Sequence, residues 1–194
     1  IRKYLRELPK KVPVLVASGN HDGDARNDAN ESVAYWLQDA KDLGCHVDGD
    51  SYEQDGILFT MCPWWDGDVT REKLENLLEQ ESKRDCDRWV WIYHAPPSGS
   101  PLAWDGKREF GDDFLPGWIE KSQPDLVLGG HIHQAPFIRD GVWHDRLGKT
   151  LVINAGKQIG PIPALCEIDT DENQITWRSL AGVETIELWP NGPE

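Results

Sequence analysis

The sequence predicts an α/β fold whose buried strands end at one chemical site, and three observations carry that reading. Val14-Leu15-Val16 runs into Gly19-Asn20-His21-Asp22, Ile92-Tyr93 runs into His94, and Leu126-Val127-Leu128 runs into Gly129-Gly130-His131-Ile132-His133. Short apolar runs bounded by turn residues read as buried, parallel strands. In open α/β sheets ligands bind outside the carboxyl ends of the strands. Polar residues far apart in the chain are therefore expected in one place.

The elements follow in order. At 194 residues the chain is long enough for one domain with a sizeable core, and no linker-like stretch divides it, so residues 1–194 read as a single domain. Arg2 to Leu8 reads as the tail of a helix, with Pro9 and Pro13 punctuating the turn into a strand at Val14 to Ala17. A loop rich in Asp, Asn and Gly leads to a helix whose apolar stripe is Val33, Trp36, Leu37, Ala40 and Leu43, closed by Gly44. Ile57 to Met61 reads as a strand, and Thr70 as the cap of a helix with Leu74, Leu77 and Leu78 on one face. After the strand Trp89 to Tyr93, residues Ala95 to Asp112 form a long loop directly behind His94, a place where function is often found. A short helix over about Asp113 to Lys121 precedes the third strand. From Val142 onward the pattern predicts antiparallel hairpins: Leu151 to Asn154, then Ala164 to Ile168 and Ile175 to Leu180 around a turn at Asp169 to Asn173.

Composition narrows the function. Net charge is −14, from 34 acidic and 20 basic residues, which repels a phosphate backbone and disfavours nucleic acid as a partner. Cys45, Cys62, Cys86 and Cys166 form no C-x-x-C pair, so reduced thiols in a cytoplasmic protein are expected rather than a zinc knuckle or disulfide scaffold. No run approaches the roughly 18 apolar residues of a membrane span. The chain begins at Ile1 and its only methionine is Met61, which leaves room for a preceding signal segment.

Each motif alone has a plain explanation: turn chemistry for Asn-His-Asp, a hydrogen-bonded core histidine at a strand end, a surface pair for His-x-His. In this order, each behind an apolar strand, GNHD, a lone His and GHIH together resemble the calcineurin-like metallophosphoesterase family. Tyr93-His94-Ala95-Pro96-Pro97 and Gly130-His131-Ile132-His133-Gln134 look like its small bacterial members. The resemblance implies a four-layer α/β/β/α sandwich and two divalent metal ions (Mn, Fe, Zn or similar). It also implies hydrolysis of a small phosphoester or nucleotide by a metal-bridging hydroxide. Carried over by position, Asn20, His94 and His131 resemble ligands of one metal and His133 a ligand of the other. His21 resembles the general acid, with Asp22 orienting its imidazole. The chemistry suits those roles: amide oxygen and imidazole nitrogen bind first-row divalent ions, and an imidazole titrating near neutrality is a proton donor.

Charge counting exposes a gap. All four ligands are neutral, so two divalent cations would sit with almost no compensating charge. The family pattern supplies carboxylates from an Asp-x-His and a Gly-Asp upstream of the first motif, and neither precedes Gly19 here. Two β-α units of roughly 60 residues would carry them. The chain is therefore expected to be the larger, C-terminal part of such an enzyme, lacking its first strands and inactive by itself. A metallophosphoesterase-fold scaffold that binds protein partners is the alternative, and retention of His21 argues against it. Weaker candidates are Asp66 and Asp68, Trp104 with Lys107 and Arg108 as substrate contacts, and Asn154 as a support for the site. His46 and His144 are expected to lie outside it.

Overall fold

Segments rich in β-branched and aromatic side chains, among them Ile57–Met61, Arg88–Ile92 and Thr150–Asn154, form strands in both halves of the chain. The computed structural model describes residues 2–7 and 11–189. They divide into two compact units, one ending at His94 and the other beginning at Ala95.

In the first unit, helix α1 (Arg2–Glu7) brings Leu5 onto a small core of Leu37, Ala40, Cys45 and Val47, joined by Val14, Val16 and Trp36. The expected end of that helix, Leu8 with Pro9, lies outside the described residues. The strand expected at Val14 to Ala17 is reduced to one parallel bridge, Leu15 with His46, closed by Val16 N–H on the His46 carbonyl and His46 N–H on the Val14 carbonyl, each at 2.9 Å. Its partner segment is too short to extend the ladder, because the chain turns at Asp48-Gly49 immediately after Val47. The loop after Asp22 forms a two-residue pair, β1 (Ala25–Arg26) with β2 (Ser32–Val33). Val33 is therefore not helical, and α2 (Leu37–Asp42) is shorter than its apolar stripe suggests. The Asp24 carboxylate accepts Tyr35 N–H at 2.6 Å and fixes the entry to that helix.

Strands β3 (Ser51–Gln54) and β4 (Ile57–Met61) form an antiparallel hairpin, and β4 pairs in parallel with β5 (Arg88–Ile92). The hairpin turns at Asp55-Gly56 with φ of 51° and 75°, the left-handed pair that an Asp-Gly dipeptide favours. Helix α3 (Asp68–Glu81) lies between β4 and β5 in sequence and buries Leu74 and Leu78. It starts two residues before Thr70, whose hydroxyl instead accepts Gly67 N–H at 3.1 Å. The distant Glu31 supplies the cap, accepting Val69 N–H and Thr70 N–H, both at 2.8 Å. Loss of water around Glu31 raises its pKa, but those backbone donors, with Thr70 and Asn27 side chains, outweigh it and hold the carboxyl below its ordinary value. A lowered folded pKa gives stability that is present above the unfolded pKa and lost as pH falls through the folded one. Melting curves of Glu31→Gln over a pH series should accordingly show a smaller acid-induced drop than wild type; an equal drop would remove the cap from the account.

In the second unit, the loop after Ala95 is held by a 3-10 turn at Pro101–Ala103 and by bridges between Pro97 and Asp112 and between Trp104 and Glu109. Helix α4 (Leu115–Ser122) follows, ending on Gln123 in left-handed conformation. Strand β6 (Leu126–Gly129) comes next, then β7 (His144–Leu147) and β8 (Thr150–Asn154). The hairpin of β7 and β8 is antiparallel as expected, but β8 also pairs in parallel with β6, giving the order β6-β8-β7. All five residues of β8 are buried, as suits a strand covered on both faces. A separate antiparallel sheet contains β9 (Leu165–Asp169), β10 (Gln174–Ser179) and β11 (Gly182–Glu187), the last not anticipated. Ile175 and Trp177 form its buried face, and the Trp177 ring stacks on Trp143 at 6.0 Å. The four cysteines are free thiols, Cys45 and Cys62 buried. No helix among the described residues is long and apolar enough to cross a membrane.

Candidate metal centre

Turn chemistry shapes the first motif. The Asp22 carboxylate accepts Gly19 N–H at 2.8 Å, Asp22 N–H returns to the Gly19 carbonyl at 3.0 Å, and the Trp36 indole N–H holds the Asp22 carbonyl at 3.0 Å. The closed loop leaves Asn20 and His21 exposed at its tip. The contact found for the Asp22 carboxylate is thus with the backbone of its own loop.

Asn20 meets the second motif directly. Its Oδ1 lies 3.0 Å from His94 Nε2, although the residues are 74 apart in sequence. The loop reaches the imidazole because residue 19 is glycine: a Cβ there would come within 2.7 Å of the His94 ring atoms. His94 also packs against Trp64 in a T-shaped pair, ring centroids 5.7 Å apart.

Beneath the loop lies a carboxylate that sequence reasoning missed. Asp48 accepts Ser18 N–H on Oδ1 at 2.7 Å and the Ser18 hydroxyl on Oδ2. Ser18 Oγ in turn accepts Trp64 N–H at 3.0 Å. Burial pushes the Asp48 carboxyl up to about 6, the Ser18 bonds oppose this, and the like charges of Asp22 and Asp50 add to it. Ser18, Gly19, Asp48, Pro63 and Trp64 are among the walls of a cavity of about 120 Å³. Asp48 sits between Val47 and Gly49 with the pattern of an ordinary turn residue, so nothing in the sequence separated it from the other acidic loop residues.

In the second unit the third motif is held from one side by Asn154, which is 1% exposed. Its Nδ2 donates to the Ile132 carbonyl at 2.8 Å, between His131 and His133, while Lys157 N–H bonds the His133 carbonyl at 2.9 Å. Asn154 thus supports the backbone of that motif, as its place at a strand end suggested. His131 sits at φ +67°, a left-handed conformation that non-glycine residues adopt at a cost and that clusters at functional sites. His133 is exposed and His131 half-buried.

The weaker candidates have structural partners. Asp66 accepts Ser32 N–H at 2.7 Å and pairs with Arg26 at 3.2 Å, and Asp68 pairs with Arg71 at 2.7 Å. Lys107 and Arg108 give their backbone N–H groups to Asp105, and the Arg108 guanidinium lies 4.2 Å from the Phe110 ring centroid. His46 packs against Tyr52 at 4.6 Å, and His144 lies on β7 beside Trp143.

The donor set has a definite chemistry. Asn20 oxygen and His94 nitrogen, facing each other, fit part of a ligand set for a first-row divalent ion. They bring no negative charge, and among the described residues no group of three or more His, Cys, Asp or Glu side chains is disposed to hold a metal ion.

The profile of the calcineurin-like phosphoesterase family matches residues 1–135. One crystal structure is similar with a TM-score of 0.60 at 16% identity, over 96% of this chain and 70% of its own. The crystal structure of TT1561 of Thermus thermophilus is similar with a TM-score of 0.53 at 16% identity, over 96% and 78%. Purple acid phosphatase PPD1 from yellow lupin (Lupinus luteus) seeds aligns at 0.47 and 16% identity, over 88% of this chain and 40% of its own, too distant to weigh. No curated protein matches. With the family profile covering most of its length and the three motifs in order, the chain belongs to the calcineurin-like phosphoesterases and has the mixed α/β fold of a metallophosphoesterase.

Proposed function

We propose that this protein is a metal-dependent phosphoester hydrolase whose ligands include Asn20, His94 and His131 for one divalent ion and His133 for a second. The observation that carries the reading is the Asn20 to His94 contact, two metal-type donors brought to 3.0 Å from motifs 74 residues apart. Bound divalent ions supply Lewis-acid charge stabilisation and activate water. The remaining work falls to the chain. Asn20 and His94 present neutral donors, the Asp22 turn holds Asn20 at the loop tip, and exposed His21 delivers a proton to the leaving oxygen. Asp22 acts on the His21 imidazole through the tight turn the two residues share. The substrate class is a small phosphomonoester, phosphodiester or nucleotide, since a net charge of −14 opposes a polynucleotide.

His21→Ala should cut turnover of alkyl phosphoesters, whose leaving groups need protonation, about a hundredfold or more while sparing activated aryl esters and Mn²⁺ affinity. Rates for a series of esters graded by leaving-group pKa, at saturating Mn²⁺, decide it. Equal losses across the series, or loss of metal, would give His21 a structural role.

A second reading has an observation of its own. The neutral donors, with no group of three or more His, Cys, Asp or Glu side chains disposed to hold a metal ion among the described residues, favour weak metal binding and little turnover by these 194 residues alone. Metal analysis with hydrolysis of an aryl phosphodiester separates the two. Two tightly held ions and turnover support a complete enzyme; neither supports a metallophosphoesterase-fold chain that is catalytically silent by itself.

A further inference from the structure

Asp48 is a charged group the proposed chemistry leaves unused, yet it touches the loop that carries the chemistry. Its two oxygens grip Ser18 at both N–H and hydroxyl, directly before Gly19. The same hydroxyl accepts the N–H of Trp64, whose ring forms a T-shaped pair with His94. One carboxylate thereby reaches both members of the Asn20 to His94 pair: Asn20 along the backbone from Ser18, and His94 through Trp64. Ser18 is 3% exposed and Gly19 is packed against His94, so a shift at Ser18 has little free space in which to dissipate.

We infer that Asp48 is a positioning residue, which through Ser18 sets the register between the Gly19–Asp22 loop and the Trp64-backed imidazole of His94. A neutral isostere changes that grip. Asparagine keeps one acceptor for Ser18 N–H, but its amide nitrogen can meet the hydroxyl only by donating to Oγ, which takes away the acceptor that Oδ2 gives the buried hydroxyl proton. The like charges of Asp22 and Asp50 act on Asp48 and oppose its ionisation. Retaining a largely buried acid beside two like charges is costly to the fold, which suits a role in function more than in stability. For its effect on metal binding the proposal rests on the phosphoesterase reading; for its geometry it does not.

The test compares Asp48→Asn, Ser18→Ala and wild type in the metal-free 194-residue chain by NMR, followed by calorimetric titration with Mn²⁺ and thermal melts near neutral pH. Asp48→Asn should move both the Asn20 side-chain amide and the His94 ring-proton resonances. Ser18→Ala, which spares the Asp48 bond to Ser18 N–H, should move His94 more than Asn20. Mn²⁺ binding should weaken on the order of tenfold or more in Asp48→Asn, the scale expected when a group behind a ligand is lost, with no fall in melting temperature. Asn20 and His94 resonances that stay in place in Asp48→Asn would overturn the proposal, as would a lowered melting temperature with resonance changes spread throughout the unit. If wild type binds no Mn²⁺, the phosphoesterase reading fails, and the metal-free resonances still decide the role of Asp48.

Discussion

Gly19→Ala is expected to reduce turnover and Mn²⁺ affinity about a hundredfold while leaving most of the fold in place. The added Cβ would lie 2.7 Å from Cε1 and Nδ1 of His94, well inside contact distance. The ring cannot swing aside freely, since Trp64 packs against it and Asn20 engages its Nε2. Relief must come from moving the imidazole or the loop, and displacing a reacting or binding group by about 1 Å costs on the order of 10²-fold. Overpacking of this kind costs about 1 to 3 kcal/mol, a modest part of a domain's stability. A double variant makes the cause visible. In Gly19→Ala with His94→Ala the imidazole is gone and the methyl has room, so the stability losses should fall short of the sum of the single losses. Additive losses would mean that residue 19 matters for a reason other than His94.

His131 gives the second large effect, with an unusual sign. At φ +67° a side chain with a Cβ costs roughly 1 to 2 kcal/mol that glycine does not. His131→Gly should therefore melt higher than His131→Ala, by a few degrees for a chain of this size, although both lose the imidazole and with it Mn²⁺ binding and turnover. Strain held at a residue whose side chain is chemically useful is the pattern of a functional site. Equal melting temperatures for the two variants would show that the conformation carries no strain.

Much of this was legible in the sequence because periodicity and chemistry coincided. Ile57–Met61, Arg88–Ile92 and Leu126–Gly129 are strands at or within a residue of their predicted places, since buried apolar runs between turn residues have few alternatives. The Asn20 and His94 partnership follows from two such ends and was readable as a resemblance before any distance was known. The failures are equally physical. Val33 fits a helical stripe by spacing, yet pairs with Ala25 in β1 because the Asp24 and Asn27 turns fold that loop back on itself. Strand β3 was announced by Asp55-Gly56, a hairpin signal, but its half-exposed polar residues gave no apolar run to notice. The parallel pairing of β8 with β6 is long-range, and local patterning marked only its hairpin with β7. Asp48 and the Glu31 cap depend on partners 30 and 38 or more residues away, and no local rule reaches that far.

The raised Asp48 pKa makes a related point about pH. A carboxyl whose folded pKa is about 6 against an ordinary 3.8 binds its proton more tightly in the folded state. Its contribution to stability therefore grows as pH falls from about 6 toward 3.8, opposite in sign to that of Glu31. At neutral pH the charged form opposes folding by on the order of 3 kcal/mol. Two acids in one unit thus respond to acidification in opposite directions, and the variants Glu31→Gln and Asp48→Asn separate them.

The most direct test of the proposed metal centre is paramagnetic broadening by substoichiometric Mn²⁺ in NMR spectra of the 194-residue chain, which registers even weak, rapidly exchanging binding. The account predicts that the Asn20 side-chain amide and the rings of His94, His131 and His133 broaden first, while the rings of His46 and His144 stay sharp. Broadening led by His46 or His144, or spread evenly over the acidic surface with the four proposed ligands spared, would contradict it.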